Sequence, residues 1–426
     1  MNLSRRSMIG GIAALPLALA GGCGARADQG ITIWAMGNEA ASLPRLLADL
    51  NRPAGAPAVT VQPLPWSAAH EKLLTGFAGG SLPRIGQVGN SWIAELAAIG
   101  AIAPVPSAVH GLLTDQFPAV VETNRIGAAV WAIPWYVDTR LQFYRTDLFA
   151  RAGHAAPPLE WDAWKRALHR VKALGGAGDF AVLLPVNEFE QLLTIALSAG
   201  ARLLRDDGAR GAFSEPEFLA ALAFYKSLFD ERLAPVASAT QISNLWNEFA
   251  RGTFAIFTSG PWTVGDLRAR LPAEMQGRWG TAPNPGPRGI GSAAPGGSSL
   301  VVFRGSHAAA GDGDDPSWDL ISRLLSPRAQ LRFQQLTGDL PARRSVWTQA
   351  GLARDPVFAS FATQLEHATA VPKVPEWERI VTEMQIVAER MVRGQFTVAQ
   401  AGREIDRRAD RLLEKRRWML ERGQAI

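Results

Sequence analysis

Hydrophobic and polar positions along the chain alternate between two periods. Ile31-Thr32-Ile33-Trp34 has the β-branched and aromatic content of a buried strand, with Gly37 where such a strand would end. Residues 40–51 then carry leucines at 43, 46, 47 and 50, which is helical spacing. A second strand is expected over residues 59–62 and a second helix over 69–78, where Leu73, Leu74 and Phe77 are apolar. Strand followed by helix, repeated, predicts a largely parallel α/β sheet with helices on its faces and ligand loops at its strand ends.

The middle of the chain is denser in aromatics. Residues 130–144 run Val-Trp-Ala-Ile-Pro-Trp-Tyr, then Val137-Asp138-Thr139, then Leu141-Gln142-Phe143-Tyr144, and read as two extended pieces joined at a polar crossing. Helices are expected over 161–174, after the Pro157-Pro158 break, and over 218–229. Phe254-Ala255-Ile256-Phe257-Thr258 is a buried strand stopped by Ser259-Gly260-Pro261-Trp262. Glycine and proline make 283–297 a loop, strand character returns over 299–303, and 308–316 has turn composition. Helical texture covers 318–337, interrupted by Pro327. The basic stretch 403–417, with Ile405, Leu412 and Leu413 interspersed, reads as a solvated amphipathic terminal helix.

The first residues carry an address. Arg5-Arg6 precedes an apolar run over residues 8–20, followed by Gly21-Gly22-Cys23. A basic head, a short apolar segment and small residues describe an export signal over 1–23, too short for a comfortable membrane span. The arginine pair leaves the twin-arginine and general secretory routes both open. Cys23 is the only cysteine, so no intramolecular disulfide is possible, and its setting resembles a bacterial lipoprotein processing site at which the thiol receives lipid. Ala20 stands where that pattern usually has leucine, although Leu19 is adjacent. The expected location is periplasmic or otherwise extracytoplasmic, with a lipid tether to a bacterial membrane.

Behind that leader lie about 400 residues, too many for a single core and enough for two domains. Apolar residues make up 47% of the chain and charged residues 19%, a globular balance. The net charge of +5 is modest for 426 residues, and without a broad basic footprint a nucleic-acid partner is not expected. No His-Glu-X-X-His or Gly-X-Ser-X-Gly pattern occurs, and the six histidines are scattered, so neither a metal site nor a nucleophile elbow is indicated.

Several ordered phrases resemble extracellular solute-binding proteins of ABC importers, in the maltose-binding-like family. They are Ile31-Thr32-Ile33-Trp34, Asn90-Ser91-Trp92-Ile93, Ala132-Ile133-Pro134-Trp135-Tyr136 with Asp138, and Tyr144-Arg145-Thr146-Asp147-Leu148-Phe149. Ser259-Gly260-Pro261-Trp262, Gly297-Ser298-Ser299-Leu300 and Thr337-Gly338-Asp339-Leu340-Pro341-Ala342-Arg343 continue the series. The resemblance implies a two-lobed α/β fold of the periplasmic-binding-protein kind, with discontinuous lobes and a central ligand cleft. The first lobe would take 24–140 and 303–345, the second 141–302 and 346–426. A sugar would be bound reversibly, by closure of the lobes, and delivered intact to membrane permease subunits. Maltose-like or trehalose-like di- or oligosaccharides lead, bound by a monomer without cofactor or metal.

Sugar rings have an apolar C–H face and directional hydroxyls, so aromatic plates and paired polar groups are the expected site chemistry. Among fourteen tryptophans, Trp135, Trp246, Trp262 and Trp377 are the preferred platforms, and Trp92 lies in the first ligand-loop phrase. Each tryptophan has an alternative as simple core. Glu39, Asn90, Asp138, Glu188 and Arg343 are the polar candidates, with Glu190 and Gln191 beside Glu188. Asp138 has an alternative as a hinge hydrogen-bonding group, Glu39 as a helix N-terminal acid, and Arg343 as one half of an ion pair. The competing function is an exported glycoside hydrolase using Asp138 and Glu188, a pairing that depends on their separation in space. A structural or adhesive surface protein would not require the ordered cleft phrases.

Overall fold

The structure is a computed structural model that describes residues 30–50, 52–242, 244–304 and 315–423. The export segment, Cys23 and most of the 308–316 turn lie outside the described residues. No helix among the described residues is long and apolar enough to cross a membrane.

Ten strands build two sheets. In chain order they are β1 (Ile31–Met36), β2 (Val59–Leu64), β3 (Ile85–Gly89), β4 (Ile133–Thr139), β5 (Leu141–Arg145), β6 (Val182–Leu183), β7 (Ile256–Ser259), β8 (Trp279–Ala282), β9 (Pro295–Val302) and β10 (Leu340–Pro341). The first sheet has the order β10-β4-β9-β3-β1-β2, the second β8-β5-β7-β6. β1 is parallel to β2 and β3, as the strand–helix alternation predicts. β9 is antiparallel to both β3 and β4, and β10 to β4. The sheets are therefore mixed, and the expectation of a largely parallel sheet holds only for the opening strands. β9 enters the first sheet on returning from the other lobe, and β10 follows the helix Pro327–Thr337 by a short turn, so neither direction is set by a parallel crossover unit.

Most predicted helices form where their apolar spacing puts them. Gly37–Asp49 buries Ala40, Leu43 and Leu46 on one stripe, and Trp161–Lys172 buries Trp164, Leu168 and Val171. The helical stretch after 315 divides into Pro316–Leu324 and Pro327–Thr337, with Ser326 capping the second helix and Pro327 at its first turn. The basic C-terminal stretch forms Val398–Leu412 and Glu414–Leu420, the former burying Ala401, Ile405 and Ala409.

The two lobes exchange chain at the β4–β5 junction. β4 ends in the first sheet at Thr139 and β5 begins in the second at Leu141, leaving Arg140 as the link. A second crossing runs alongside: Asn284 Nδ2 donates to the Arg140 carbonyl at 2.7 Å, and Thr139 Oγ1 to the Ala294 carbonyl at 3.2 Å. β9 is already in the first sheet at Pro295, eight residues before the expected boundary at 303. Its Pro-Gly-Gly-Ser-Ser opening lacks strand propensity, yet it lies inside the sheet because neighbouring strands supply its partners. Ser299 Oγ donates to Asn90 Oδ1 at 2.7 Å, Asn124 Nδ2 donates to Ser299 Oγ at 2.8 Å, and Ser298 Oγ donates to the Val88 carbonyl at 2.9 Å. An apolar core containing Val137, Leu141, Phe143, Phe257 and Phe361 spans the hinge side and joins the two sheets.

Candidate functional site

The cleft between the lobes contains a cavity of about 370 Å³, at the small end of the roughly 300–1,000 Å³ typical of ligand pockets. Strand ends and helix starts build it. From the first lobe come Trp66, at the start of the helix Trp66–Ala78 that follows β2, and Asn90 and Trp92, just beyond the end of β3. Asp138 on β4 and Gly296-Gly297 on β9 form the floor. From the second lobe come Phe189 and Glu190, Trp262 after β7, and Lys373, Trp377 and Glu378. Placement beyond the carboxyl ends of parallel strands is where open α/β sheets characteristically hold ligands.

Five aromatic rings face this space: Trp66, Trp92, Phe189, Trp262 and Trp377. Trp66 and Trp92 pack edge to face with centroids 5.8 Å apart. The His70 ring lies 5.0 Å from Trp92, and His70 Nε2 is 2.8 Å from Glu95, whose hydrogen bond and charge raise the imidazole pKa. Trp262 is 41% exposed and carries the Arg140 guanidinium 4.7 Å from its centroid. Arg140 in turn pairs with Glu190 at 3.2 Å. Trp377 is only 3% exposed and belongs mainly to the second-lobe core, with part of its ring lining the cleft.

Asp138 is the electrostatic centre of the floor. Burial pushes its carboxyl pKa up to about 6, against the favourable charge of Arg140 and a hydrogen bond from the Gly297 N–H, with Glu39 and Glu190 adding like charge. Behind it, Tyr136 Oη donates to Glu39 at 2.6 Å, and burial together with Glu39 holds Asp339 well above the usual carboxylate range. A Cβ at Gly296 would come within 2.0 Å of Asp138 Oδ1, and one at Gly297 within 2.3 Å of the Tyr136 carbonyl oxygen. Gly297 also has φ +98, so both the space and the backbone there require glycine.

The structure brings together Asn90, Trp92, Asp138, Trp262 and Trp377 of the ten sequence candidates. The other five need correction, because none lines the cavity. Trp135 is fully buried and stacks on Phe333 at 4.4 Å, so it is core. Trp246 packs edge-on against Phe257, with Arg270 over its face. Glu39 is held by Tyr136 beneath the floor, and Glu188 accepts from Gln191 at 2.8 Å. Arg343 pairs with Asp115 at 3.1 Å at the start of the helix Arg344–Gln349. The proposed hydrolase pair of Asp138 and Glu188 is thus not assembled in the cleft. Asn90 lines the cavity with much of its amide committed, because Oδ1 accepts from Ser299 and Nδ2 donates to the Gly296 carbonyl at 3.0 Å.

Sequence reasoning missed Trp66, Arg140, Phe189, Lys373 and Glu378. For Trp66 a signal existed: Pro65-Trp66 falls between an expected strand and the following helix, at a ligand-facing strand end. For Arg140 the signal was the polar crossing itself. Among the described residues no group of three or more His, Cys, Asp or Glu side chains is arranged to hold a metal ion.

Comparison with known proteins matches residues 37–331 to the bacterial extracellular solute-binding protein model. The sugar-binding protein MalE from the phytopathogen Xanthomonas citri is 43% identical, with TM-score 0.87, over 92% of this chain and 99% of that one. A binding protein of Brucella abortus is 24% identical over 361 residues, 83% of this chain and 85% of its own length. The diacetylchitobiose binding protein DasA of Streptomyces coelicolor is 23% identical over 322 residues, 74% of this chain and 73% of its own.

Proposed function

Because this chain belongs to the bacterial extracellular solute-binding protein family, whose members bind solutes and are not catalysts, we propose that it captures maltose-like or trehalose-like di- or oligosaccharides in the cleft and delivers them unchanged to the permease of an ABC importer. The observation that carries this reading is the convergence of five aromatic rings with Asp138, Arg140 and Glu190 on one interlobe cavity. Rings offer faces and edges to C–H surfaces, while the carboxylates accept from hydroxyls and the guanidinium donates to them. Buried hydroxyls that meet such partners are recognised strongly against analogues lacking them.

Charge supports an uncharged ligand. The two cations lining the cavity each have a carboxylate partner, Arg140 with Glu190 and Lys373 with Glu122. Asp138 and Glu378 line the same cavity, so an anionic sugar would meet carboxylates without a free cation to offset them. In this reading Trp66, Trp92 and Trp262 are the principal aromatic contacts, Asp138, Arg140 and Glu190 the polar ones, and Trp377 a partly shared core wall. Lipid on Cys23 would tether a monomer at the membrane surface. The relative that binds diacetylchitobiose supports a disaccharide-sized ligand, and the choice of a maltose-like or trehalose-like sugar rests on the resemblance to maltose-binding-like proteins.

The test is titration calorimetry with maltose, maltotriose, trehalose and sucrose, with product analysis of each mixture. Saturable binding of at least one sugar, recovered intact, is the expected result. Turnover of the sugar, or silence across the panel, would overturn the assignment.

A further inference from the structure

The Glu122–Lys373 ion pair lies between two concave spaces. Glu122 belongs to the first-lobe helix Pro118–Thr123, whereas Lys373 lies in the second-lobe segment before the helix Trp377–Val392. Lys373 Nζ donates to the Glu122 carboxylate and also to its backbone carbonyl at 3.3 Å. On one side is the aromatic cavity, which Thr123 and Lys373 both line. On the other is an outer groove of about 730 Å³ lined by Glu122, Leu203, Leu204, Asp207 and Arg416 among others. Val371, Pro372 and Lys373 are common to both spaces, so the two are separated by little more than this segment and its bridge to Glu122.

Resting on the sugar-binding reading above, we infer that the Glu122–Lys373 bridge sets the length of the ligand. The inner cavity holds every aromatic platform of the cleft, and the outer groove has none among its lining residues. A ligand confined to the inner cavity therefore keeps all its stacking contacts. Each further sugar unit directed along Val371-Pro372-Lys373 must displace the bridge and enters a groove without an aromatic face. Longer ligands lose the ion pair and gain little in return. The two side chains are 51% and 30% exposed, so the discrimination is modest and screened by salt.

The experiment compares the affinity of a disaccharide with those of the corresponding tri- and tetrasaccharide, using maltose, maltotriose and maltotetraose, in the wild-type protein, Glu122→Gln, Lys373→Met and the double variant. The wild-type protein is expected to prefer the disaccharide, and each single variant to narrow that preference by about two- to fivefold. The double variant should narrow it no further, because both changes remove one interaction. Raising salt towards 1 M should reduce the wild-type preference and leave the variants unmoved. Thermal melting of each variant checks that the fold is retained. A preference that the variants leave unchanged, or a wild-type protein that already favours the longer sugars, overturns the length gate while the sugar reading stands. Absence of binding to any of the three sugars together with trehalose and sucrose overturns the sugar reading itself, and the gate with it.

Discussion

Asp138 decides the most at the scale of single residues. Its carboxyl titrates at about 6 because burial outweighs Arg140 and the Gly297 N–H. A folded-state pKa raised above the unfolded value means that the folded protein holds this proton more tightly. The associated stability is fully present below the unfolded pKa near 4 and is lost as pH rises through about 6. Asp138→Asn removes that penalty, so at pH 7–8 the variant should be more stable by about 1–2 kcal/mol, after allowance for partial solvent contact, with the gap closing towards pH 4. Urea denaturation across pH 4–8 measures this. Binding should move the other way. Sugar hydroxyls donating to the carboxylate favour its ionised form, so wild-type affinity should fall below about pH 6 and binding near pH 6 should release protons. Calorimetry in two buffers of different protonation enthalpy detects that release, and Asp138→Asn should abolish it. Trp66 gives a cleaner aromatic test than Trp377, because it is 38% exposed and not part of the second-lobe core. Trp66→Ala should weaken sugar binding by about tenfold with little change in melting temperature. Trp377→Ala should instead destabilise the second lobe by about 3 kcal/mol or more.

At the scale of elements, the entry of β9 into the first sheet places the cleft floor. Gly296 leaves room for the Asp138 carboxylate, and Gly297 allows β9 to approach β4 with φ +98. Gly296 has no positive φ, so Gly296→Ala should keep the fold, displace Asp138 and cost about tenfold in affinity. Gly297→Ala meets both a backbone contact and an unfavourable φ, and should lower stability by about 2 kcal/mol or more in urea. A pattern of two glycines and two serines announces a loop in sequence. It becomes an interior strand because Asn90, Asn124 and Val88 satisfy its polar groups. No local property of residues 295–299 discloses those partners.

For the whole molecule, each lobe brings both aromatic and polar residues to the cavity, Trp66, Trp92 and Asp138 from the first and Trp262, Phe189 and Glu190 from the second. A ligand that touches both lobes is therefore bound better by a closed arrangement than by an open one. Addition of the cognate sugar should therefore reduce the radius of gyration in small-angle scattering. It should also stabilise the protein by about 2.7 kcal/mol at a hundredfold excess over Kd, seen as a rise in melting temperature. The core containing Val137, Leu141 and Phe257 joins the two sheets, so closure would pivot about it. A protein whose scattering profile does not respond to a saturating sugar would contradict closure as the source of affinity.

Periodicity and turn chemistry alone were enough for the opening strands and helices, for two extended pieces meeting at a polar crossing near Arg140, and for the amphipathic character of the C-terminal stretch, because each depends on residues close in the chain. They did not disclose the division of that stretch into two helices at Leu413. The ordered phrases along the chain extended that to the family and its two-lobed plan. Facing was a different matter. Trp135 and Asp138 are three residues apart on one strand, so alternation sends them to opposite faces, but only the packing decides that the first meets Phe333 and the second the cleft floor. Glu188 and Glu190 are two apart, and only the second lines the cavity, paired there with Arg140. Which side chain is core and which is site depends on what the other lobe and the returning strands place opposite it. Those partners lie tens to hundreds of residues away, so tertiary packing decided the site, whereas local spacing had already determined the elements that carry it.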